Sequence, residues 1–379
     1  MTFAASVRHP RRITVLIVGP SLDRWLGGQE VQADQLLREW SGDDAVEAVF
    51  IASNPPLRGL ARSLERVPLL RTLARLPLRL TTMWSAARRC DVVHVFAGAH
   101  SSFVVGTLPA LVIAHATGVR SVVHYHSGRG GEHLQGSAIA RGMLRGADAV
   151  VVPSRYLADQ FTAFGIKVSV VPNVVDDTRF QFRAPCDGPP LVVCARNFES
   201  IYAVDDAIRA FAIVQEEVPS ARLALAGAGR EEQALRVLVR KLSLRNVQFA
   251  GRLTRDGMSA LLARATVMIN ASRIDNMPVS ILEAFACGVA VASTAAGGIP
   301  WFAVHERTAL LSSPGDVAAL ARHVVTLIRE PKLAASLAAS ARAETERYSW
   351  RCVREQWLNI YGTLVLGPAG KAASASWAS

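Results

Sequence analysis

Short apolar runs alternate along the chain with helix-like stretches and glycine-containing loops. The first run, Ile13–Val18, ends at Gly19–Pro20 and is followed by a polar loop and by helical periodicity over Glu30–Trp40. Strand, glycine-containing loop and helix in this order open Rossmann-like units, although the GxGxxG spacing of dinucleotide-binding proteins is absent. Further apolar runs predict buried strands at Asp91–Phe96, Ser121–His126, Ala147–Pro153, Val168–Val171, Leu191–Ala195, Leu223–Ala226, Val247–Gly251, Val267–Asn270 and Val289–Ser293. The alternation predicts an α/β protein with doubly wound parallel sheets.

One linker-like segment divides this series of elements. Residues 184–190 read APCDGPP, a composition typical of a connection between domains. The chain has 379 residues, enough for two or three domains of ordinary size. We therefore predict one domain over 11–183, a second over 188–349, a helix over 350–366 and a disordered tail over 367–379.

Residues 57–80 combine regularly spaced arginines with leucines on the opposite side. Arginine recurs every four positions in two series, which are Arg58, Arg62 and Arg66, then Arg71, Arg75 and Arg79. The pattern predicts two amphipathic helical pieces with one cationic face, which suits contact with an anionic membrane. The alternative is a helix pair whose leucine face packs on the domain and whose arginine face is simply solvated.

Charge and cysteine content narrow the choice of partners and compartment. The net charge of +11 is spread over both halves of the chain and suits polyanions or anionic membranes. No zinc-finger, RNP or helix-turn-helix pattern is present, so nucleic acid is not an expected partner. The five cysteines include no CxxC pair, which favours reduced thiols in a cytoplasmic protein. The N-terminus lacks the apolar core, about 7–15 residues long, of a signal peptide, and no apolar run reaches the roughly 18 residues of a membrane span.

The most informative stretch runs from Asn270 to Pro300 and holds two carboxylates, Asp275 and Glu283, eight positions apart. Its pattern predicts a strand, a polar loop, a short helix after Pro278 and another strand. The first turn of a helix has unpaired N–H groups that suit phosphate. Glu283, one turn further on, could accept hydrogen bonds from a vicinal diol such as ribose, and Asp275 could bind a second polyol. A nucleotide sugar fits this arrangement; an acidic loop followed by a surface glutamate is the alternative.

This stretch resembles the paired-acid motif of the family 4 retaining glycosyltransferases, whose GT-B fold consists of two facing Rossmann-like domains with a cleft between them. The resemblance extends over roughly residues 13–362 through an ordered set of motifs, which are GGQE, HYHSG, PNVVD, Arg196 and Gly297–Gly298. It implies that residues 188–349 bind a nucleotide sugar, that residues 11–183 form the acceptor side, and that the helix over 350–366 packs back on the first domain.

The resemblance also implies roles for individual residues. Arg196 would clamp the donor diphosphate, Asp275 would bind the donor sugar in place of the family's usual glutamate, and Glu283 would bind the ribose. His126 would contact the donor sugar or the acceptor, which makes Arg196, Asp275 and His126 the catalytic candidates. The donor site would be completed by Gly27, Gly28, Tyr202, Gly227, Gly229, Gly251, Arg252, Leu253, Asn276, Met277, Pro278, Val279 and Ser280. Tyr202 occupies the region where the family has a lysine, so one cation of the diphosphate site is missing.

The implied function is transfer of a sugar, with retention at the anomeric carbon, from a nucleotide-sugar donor to a glycan or lipid-linked acceptor at the inner face of the cell membrane. No enzymatic nucleophile, DxD motif or cofactor motif is evident, so neither metal nor cofactor is expected. A metal site of His124, His126 and His133 lacks a carboxylate or cysteine partner, and His124 is predicted to point to the other face of its strand. Two alternatives stay open: another GT-B enzyme, such as a nucleotide-sugar epimerase, and a degenerate protein that binds sugar nucleotide or membrane without transfer.

Overall fold

The structure is a computed structural model that describes residues 11–22, 27–53, 68–182 and 188–367. Within these ranges, twelve strands form two six-stranded sheets, and every strand pairing is parallel. The strands are β1 Ile13–Gly19, β2 Val46–Ala52, β3 Val92–Ala97, β4 Arg120–Tyr125, β5 Ala149–Val152, β6 Ser169–Val170, β7 Leu191–Ala195, β8 Arg222–Ala226, β9 Val247–Gly251, β10 Val267–Asn270, β11 Ala290–Thr294 and β12 Leu310–Ser312.

Helices connect the strands and cover both sheets. They are α1 Gly28–Trp40, α2 Pro68–Ala87, α3 Leu108–Thr117, α4 Gly130–Gly136, α5 Ala138–Gly146, α6 Arg155–Thr162, α7 Val204–Glu217, α8 Glu232–Lys241, α9 Arg255–Leu262, α10 Val279–Cys287, α11 Val317–Arg329, α12 Pro331–Thr345 and α13 Trp350–Leu366. The predicted α/β class with doubly wound parallel sheets is confirmed, and every predicted strand is present within one or two residues of its expected bounds. The expectations had not included β2 and β12.

The order of strands explains where loops from distant parts of the sequence meet. In the second sheet the order is β12-β11-β10-β7-β8-β9, so the direction of winding reverses between β7 and β10. In the first sheet, ordered β2-β1-β3-β4-β5-β6, it reverses between β1 and β3. The loops that follow the two strands at such a reversal leave a crevice at the carboxyl edge of the sheet, which is where open α/β sheets bind ligands.

The last helix, α13, packs on the first sheet. Its apolar residues Val353, Trp357, Leu358 and Tyr361 are fully buried against residues of β1 and β3. The predicted junction between the two domains includes residues 183–187, which lie outside the described ranges. The predicted disordered tail beyond residue 367 also lies outside them.

The basic stretch 57–80 is described in part, since residues 57–67 lie outside the described ranges. The second predicted piece is helical and belongs to α2. Its Arg79, which was expected on an exposed cationic face, is 4% exposed, and its Nη1 donates to the Ser53 carbonyl at 2.8 Å. Arg79 shares a buried helix face with Met83, one turn further on. The expectation for Arg79 was therefore wrong, because this face packs on the protein.

None of the helices within the described ranges is both long enough and apolar enough to cross a membrane.

Candidate active site

A cleft lies between the carboxyl edges of the two sheets. The loops after β1, β4, β7, β8, β9 and β10 all contribute to its walls. Arg196 follows β7 directly and Asp275 lies in the loop after β10, so the reversal in the second sheet brings them together although they are 79 positions apart in the sequence. The cleft therefore coincides with the place where the strand order predicts a ligand site.

The cleft has two connected parts, each named here after its acidic residue. The Glu283 chamber is lined by Gly227, Arg252, Leu253, Thr254, Arg255, Ser280 and Glu283. The Asp275 chamber is lined by Gln29, Glu30, His126, Asn173, Asp275, Asn276, Met277 and Pro278. Six residues line both chambers: Gly27, Gly28, Arg196, Asn197, Tyr202 and Val279.

Arg196 and Asp275 form an ion pair in the Asp275 chamber. The distance from Arg196 Nη2 to Asp275 Oδ2 is 2.5 Å, and each side chain is about 10% exposed. The second carboxylate oxygen of Asp275 accepts a hydrogen bond from the Asn276 backbone N–H at 2.9 Å. Arg196 Nε is buried and has no hydrogen-bond partner within the described residues. The guanidinium thus fixes the carboxylate and keeps a donor for another group.

Tyr202 covers the Arg196 guanidinium. The guanidinium carbon lies 3.9 Å from the centroid of the tyrosine ring, within the range of a cation–π contact. Burial raises the pKa of the Tyr202 hydroxyl, so the residue is neutral at pH 7. The tyrosine found near the family's lysine position therefore adds no second cation, and instead orients the first one.

Glu283 lies in the second turn of α10 and is 7% exposed. Burial raises the pKa of its carboxyl group to about 7, an effect that the nearby Arg255 opposes and Asp176 reinforces. Ser280, one turn earlier, has a buried hydroxyl without a hydrogen-bond partner among the described residues. The Glu283 chamber therefore contains a carboxyl group that titrates near neutral pH beside an unused hydroxyl.

The start and end of α10 are as the sequence predicted. Pro278 precedes the first helical residue, Val279, and no side chain caps the first turn. Gly288 ends the helix in the left-handed conformation, with φ of 74°. The first turn of α10, which no side chain caps, faces the cleft where the two chambers meet.

Gly297 and Gly298 hold the loop that carries Asp275. A Cβ on Gly297, whose φ is 53°, would lie 2.1 Å from the Asp275 carbonyl oxygen, and one on Gly298 would lie 2.3 Å from the Asn276 carbonyl oxygen. The Gly298 N–H also donates to the Asp275 carbonyl at 3.2 Å. Only glycine allows this close approach of two backbone segments.

The first half of the chain contacts the same loop from across the cleft. Asn173 Nδ2 donates to the Met277 carbonyl at 2.7 Å, and the Ser154 hydroxyl bonds to Asn276 Oδ1. Ser154 is also the N-cap of α6, as predicted, and accepts from the Leu157 N–H at 3.2 Å. The loop 275–277 is thus shaped by residues on both sides of the cleft.

His126 lies in the Asp275 chamber, and two more histidines lie behind it. The ring centroids of His124 and His126 are 4.0 Å apart, and His94 Nε2 is 3.3 Å from His124 Nδ1. The expectation that His124 points to the other face was wrong, because residues two apart along an extended chain point to the same side. Burial lowers the pKa of His126 and of His94 to about 3, so both rings are neutral at pH 7.

The histidines do not form the metal site considered from the sequence. His133 Nδ1 bonds to the Tyr125 hydroxyl at 3.0 Å, on the opposite side of β4 from His124 and His126. Within the described ranges, no group of three or more His, Cys, Asp or Glu side chains is placed to hold a metal ion.

Two of the predicted donor-binding residues line neither chamber. A Cβ on Gly229 would lie 2.3 Å from the Phe198 carbonyl oxygen, so this glycine permits a close approach within the second sheet's loops. Gly251 ends β9 with φ of 66°, and its carbonyl accepts from the Gly227 N–H at 2.9 Å. A close backbone approach explains Gly229, and a positive φ explains Gly251. The other predicted site residues all line the cleft.

Sequence reasoning assigned no role to three charged residues of the cleft, Glu30, Arg129 and Arg255. Glu30 lies in the Asp275 chamber, where burial raises its carboxyl pKa to about 7. Its position two residues after Gly28 was the available signal. Arg255 is buried in the Glu283 chamber, and no spacing in the sequence indicated that an arginine at the start of a helix would point inward.

Two family models match consecutive parts of the chain. The model described as Glycosyltransferase Family 4 matches residues 26–179, and the model described as Glycosyl transferases group 1 matches residues 176–344. Between them they cover the residues that line the cleft and every strand except β1.

Curated relatives and solved structures agree with these matches. The glycogen synthase of Mycobacterium tuberculosis is 29% identical over 290 residues, which are 72% of this chain and 69% of that protein. A GDP-mannose-dependent phosphatidylinositol monomannoside mannosyltransferase of Corynebacterium glutamicum is 30% identical over 236 residues, 56% of this chain and 61% of that protein. The crystal structure of Anabaena HepE in complex with UDP and glucose superimposes with a TM-score of 0.70 and 18% identity, covering 92% of this chain and 99% of that chain. The structural likeness identifies the fold as GT-B.

Proposed function

The chain belongs to the family 4 glycosyltransferases, of the glycosyl transferases group 1 type, and on this premise we propose that it transfers a sugar from a nucleotide-sugar donor with retention at the anomeric carbon. One observation carries the proposal. Two buried carboxylates, Asp275 and Glu283, occupy the two chambers on either side of the start of α10, and Arg196 lines both chambers. A nucleoside diphosphate sugar has a matching order of groups: ribose diol, diphosphate and sugar hydroxyls.

We place the ribose, the diphosphate and the sugar of the donor in this order along the cleft, from Glu283 to Asp275. The ribose binds Glu283, because a carboxylate can accept hydrogen bonds from both hydroxyls of a vicinal diol. The diphosphate lies between Arg196 and the unfilled first turn of α10, where a guanidinium and helix N–H groups both favour negative charge. The donor sugar lies at Asp275, with the amides of Asn276 to Ser280 and the ring of His126 completing its site.

The residues of this site act mainly on the leaving group. The bond between the anomeric carbon and the phosphate oxygen breaks, and the diphosphate departs with the electron pair. Arg196 and the first turn of α10 stabilise its charge. The acceptor hydroxyl attacks from the face that the diphosphate leaves, and its proton passes to the departing phosphate oxygen. Because neither proton nor charge is carried by a metal in this scheme, we propose that activity persists in excess EDTA.

A thermal-shift screen followed by turnover measurements tests the proposal. A ligand that binds only the folded state raises the melting temperature, so one of UDP, GDP or ADP should raise it more than the other two. The matching nucleotide sugar should then be consumed by the wild-type protein and not by Glu283→Ala or Arg196→Ala. Consumption that is unaffected by both changes would place the chemistry elsewhere.

A second candidate function is a degenerate protein that binds sugar nucleotide without transfer. It is favoured by the absence of a lysine near Tyr202 and by the Arg196–Asp275 ion pair, which occupies groups that the donor would use. Nucleotide binding without consumption of any nucleotide sugar, in the presence of membrane extracts as a source of acceptors, would support this alternative against the enzyme.

We propose that the acceptor is a glycan or lipid-linked molecule used in surface polysaccharide or glycolipid assembly, and that residues 57–80 contact the inner face of the cell membrane as a peripheral site. Support comes from the arginine series and from the partly exposed Trp84 on the outer side of α2. Arg79 is left out of this surface, since it bonds to Ser53. The relative from Corynebacterium, whose name specifies a phosphatidylinositol-based substrate, agrees with such an acceptor.

Vesicle sedimentation tests the membrane contact. Replacing Arg58, Arg62, Arg71 and Arg75 with glutamate should release the protein from vesicles that contain anionic phospholipid. The matched control changes four arginines far from this stretch, Arg209, Arg240, Arg245 and Arg322, and should leave binding intact. Equal release by both sets would show a general effect of net charge and contradict a specific contact.

A further inference from the structure

Arg255 is a buried arginine at the first position of α9, and it faces the Glu283 chamber. Its side chain is 5% exposed, and it lines the chamber together with Glu283. Thr254 already caps the helix by accepting from the Gly257 N–H at 3.1 Å. A cation in the first turn of a helix is disfavoured by the helix dipole, so the helix itself gives no reason for an arginine here.

The contacts of Arg255 leave most of its hydrogen-bonding capacity unused. Nη2 lies 3.5 Å from Asp176 Oδ2, and the guanidinium carbon is 5.6 Å from the centroid of Phe180. Nε and Nη1 are buried and have no hydrogen-bond partner among the residues that the structure describes. Asp176 also has Arg179 Nε at 3.3 Å and the Thr178 hydroxyl at 2.7 Å, so it does not depend on Arg255 alone. Burying unpaired N–H groups is costly, so these contacts alone do not explain an arginine at this position.

Arg255 and Glu283 line the same chamber, so Glu283 is a group on which the Arg255 charge can act. Arg255 is the attractive charge that opposes the effect of burial on the Glu283 carboxyl, while Asp176 acts in the other direction. Arg255 also acts on a second carboxyl group, that of Glu39. Burial raises the pKa of Glu39, the charges of Asp176 and Asp177 raise it further, and the charge of Arg255 lowers it. Arg196 and Arg252 face the chamber from the loops after β7 and β9. Among these groups, Arg255 is the buried cation whose charge stabilises ionised Glu283.

We propose that Arg255 is a positioning residue for the donor nucleotide: it is the fixed counter-charge that keeps Glu283 in its hydrogen-bond-accepting form for the ribose hydroxyls. This inference rests on the proposed function, since it assumes that a nucleotide occupies the Glu283 chamber. The acting form of Glu283 is the carboxylate, because only the ionised group accepts two hydrogen bonds from a diol without donating one. Affinity for the nucleotide should therefore be highest above the pKa of Glu283 and fall as pH decreases through it.

The test is the pH dependence of nucleoside diphosphate affinity in matched variants. UDP, GDP and ADP are titrated calorimetrically into wild-type protein, Arg255→Met, Arg255→Lys and the exposed-site control Arg240→Met between about pH 5.5 and about pH 8.5. Protonation of the ligand's phosphate is the same for every variant and cancels in the comparison. Arg255→Met should weaken binding about tenfold near neutral pH, and the pH at which affinity is half lost should move upward. Arg255→Lys should restore that pH, and Arg240→Met should match the wild type.

A double variant separates positioning from packing. In a Glu283→Gln background the group that Arg255 acts on no longer titrates, so adding Arg255→Met should change affinity little at any pH. If Arg255→Met alone leaves affinity unchanged, or weakens it by the same factor at every pH with the midpoint unmoved, the inference is overturned. If the wild-type protein binds none of the three nucleotides, the proposed function fails first. The melting temperature of each variant without ligand shows whether it is folded.

Discussion

Asp275 and Glu283 lie in different chambers of the cleft, and their buried carboxyl groups have different counter-charges. Asp275 is in direct contact with Arg196 at 2.5 Å and accepts a backbone N–H. Glu283 has no such ion pair within the described residues; burial raises its pKa to about 7 and the charge of Arg255 only partly opposes this. Similar burial therefore leads to different surroundings: Asp275 has a direct counter-ion, whereas Glu283 has only a more distant one, which offsets desolvation incompletely. The charge of the Glu283 carboxyl consequently depends on pH near neutrality.

The largest expected effect comes from removing the fixed counter-ion. Arg196→Ala should lower donor turnover about 100-fold to 1000-fold, as loss of a group that stabilises developing charge usually does. It should also destabilise the fold by about 3 kcal/mol, because Asp275 is left buried without its partner. Initial rates and urea denaturation measure both effects, with Arg240→Ala as the surface control. Turnover close to the wild-type rate would show that Arg196 serves Asp275 and not the diphosphate.

The second effect is the pH dependence of stability that arises from the Glu283 carboxyl group. The folded-state pKa of Glu283 lies above its unfolded value of 4.5, so the stability that the protonated group confers is fully present below about pH 4.5 and is lost as pH rises through about 7. The loss amounts to about 3 kcal/mol. Glu283→Gln removes this pH dependence. The free energy of unfolding of the variant should therefore increase relative to that of the wild type as pH rises from about 4.5 to about 7. A difference that stays constant with pH would mean that Glu283 titrates normally.

The third effect concerns the loop that carries Asp275. Gly297→Ala forces a Cβ to within 2.1 Å of the Asp275 carbonyl oxygen, in addition to the strain of an alanine at positive φ. Gly315 also has positive φ, 84°, but no neighbouring atom within 4 Å, so Gly315→Ala measures the strain alone. We expect about 1 kcal/mol of destabilisation in Gly315→Ala and about 2 kcal/mol more in Gly297→Ala, with reduced donor turnover only in the latter. Similar losses of stability in Gly297→Ala and Gly315→Ala would contradict the close packing of the two loops.

The smallest expected effect concerns the hydrogen bond between Tyr361 and His94, behind the Asp275 chamber. The Tyr361 hydroxyl is 2.6 Å from His94 Nδ1, and His94 in turn contacts His124, which lies beside His126. Tyr361→Phe should reduce the free energy of unfolding by about 1 kcal/mol, the usual contribution of one buried hydrogen bond. Turnover should be nearly unchanged, because the aromatic packing of α13 is kept. A larger fall in turnover than in stability would mean that the histidine series contributes to the reaction.

Much of the cleft could be predicted from local patterns. The short apolar runs identified the strands, Ser154 and Gly288 marked ends of helices, and the spacing of Asp275 and Glu283 placed one acid in a loop and the other a turn inside a helix. These features depend on backbone sterics and on hydrogen bonds between residues close in sequence, so they can be recognised without a tertiary structure.

The errors came from contacts that depend on how elements pack. Arg79 was expected in solvent, yet its helix face packs on the domain and its guanidinium reaches Ser53. Arg255 was given no role from the sequence, because only the approach of Asp176 and Phe180 encloses it. His124 is a different case, because the two-residue period of an extended chain already places it on the same side as His126 without any tertiary contact.

The sequence by itself determined the class of fold, the order of its elements and the residue types available for a nucleotide sugar, because each of these follows from periodicity and short spacing. Tertiary structure decided which groups meet: it paired Arg196 with Asp275 across 79 positions, placed Tyr202 over the guanidinium and left Glu283 beside an incompletely matched counter-charge. The physical reason is that ionisation in a cleft depends on distance and desolvation. Both quantities are fixed only when the strand order brings separate loops to one edge of the sheet.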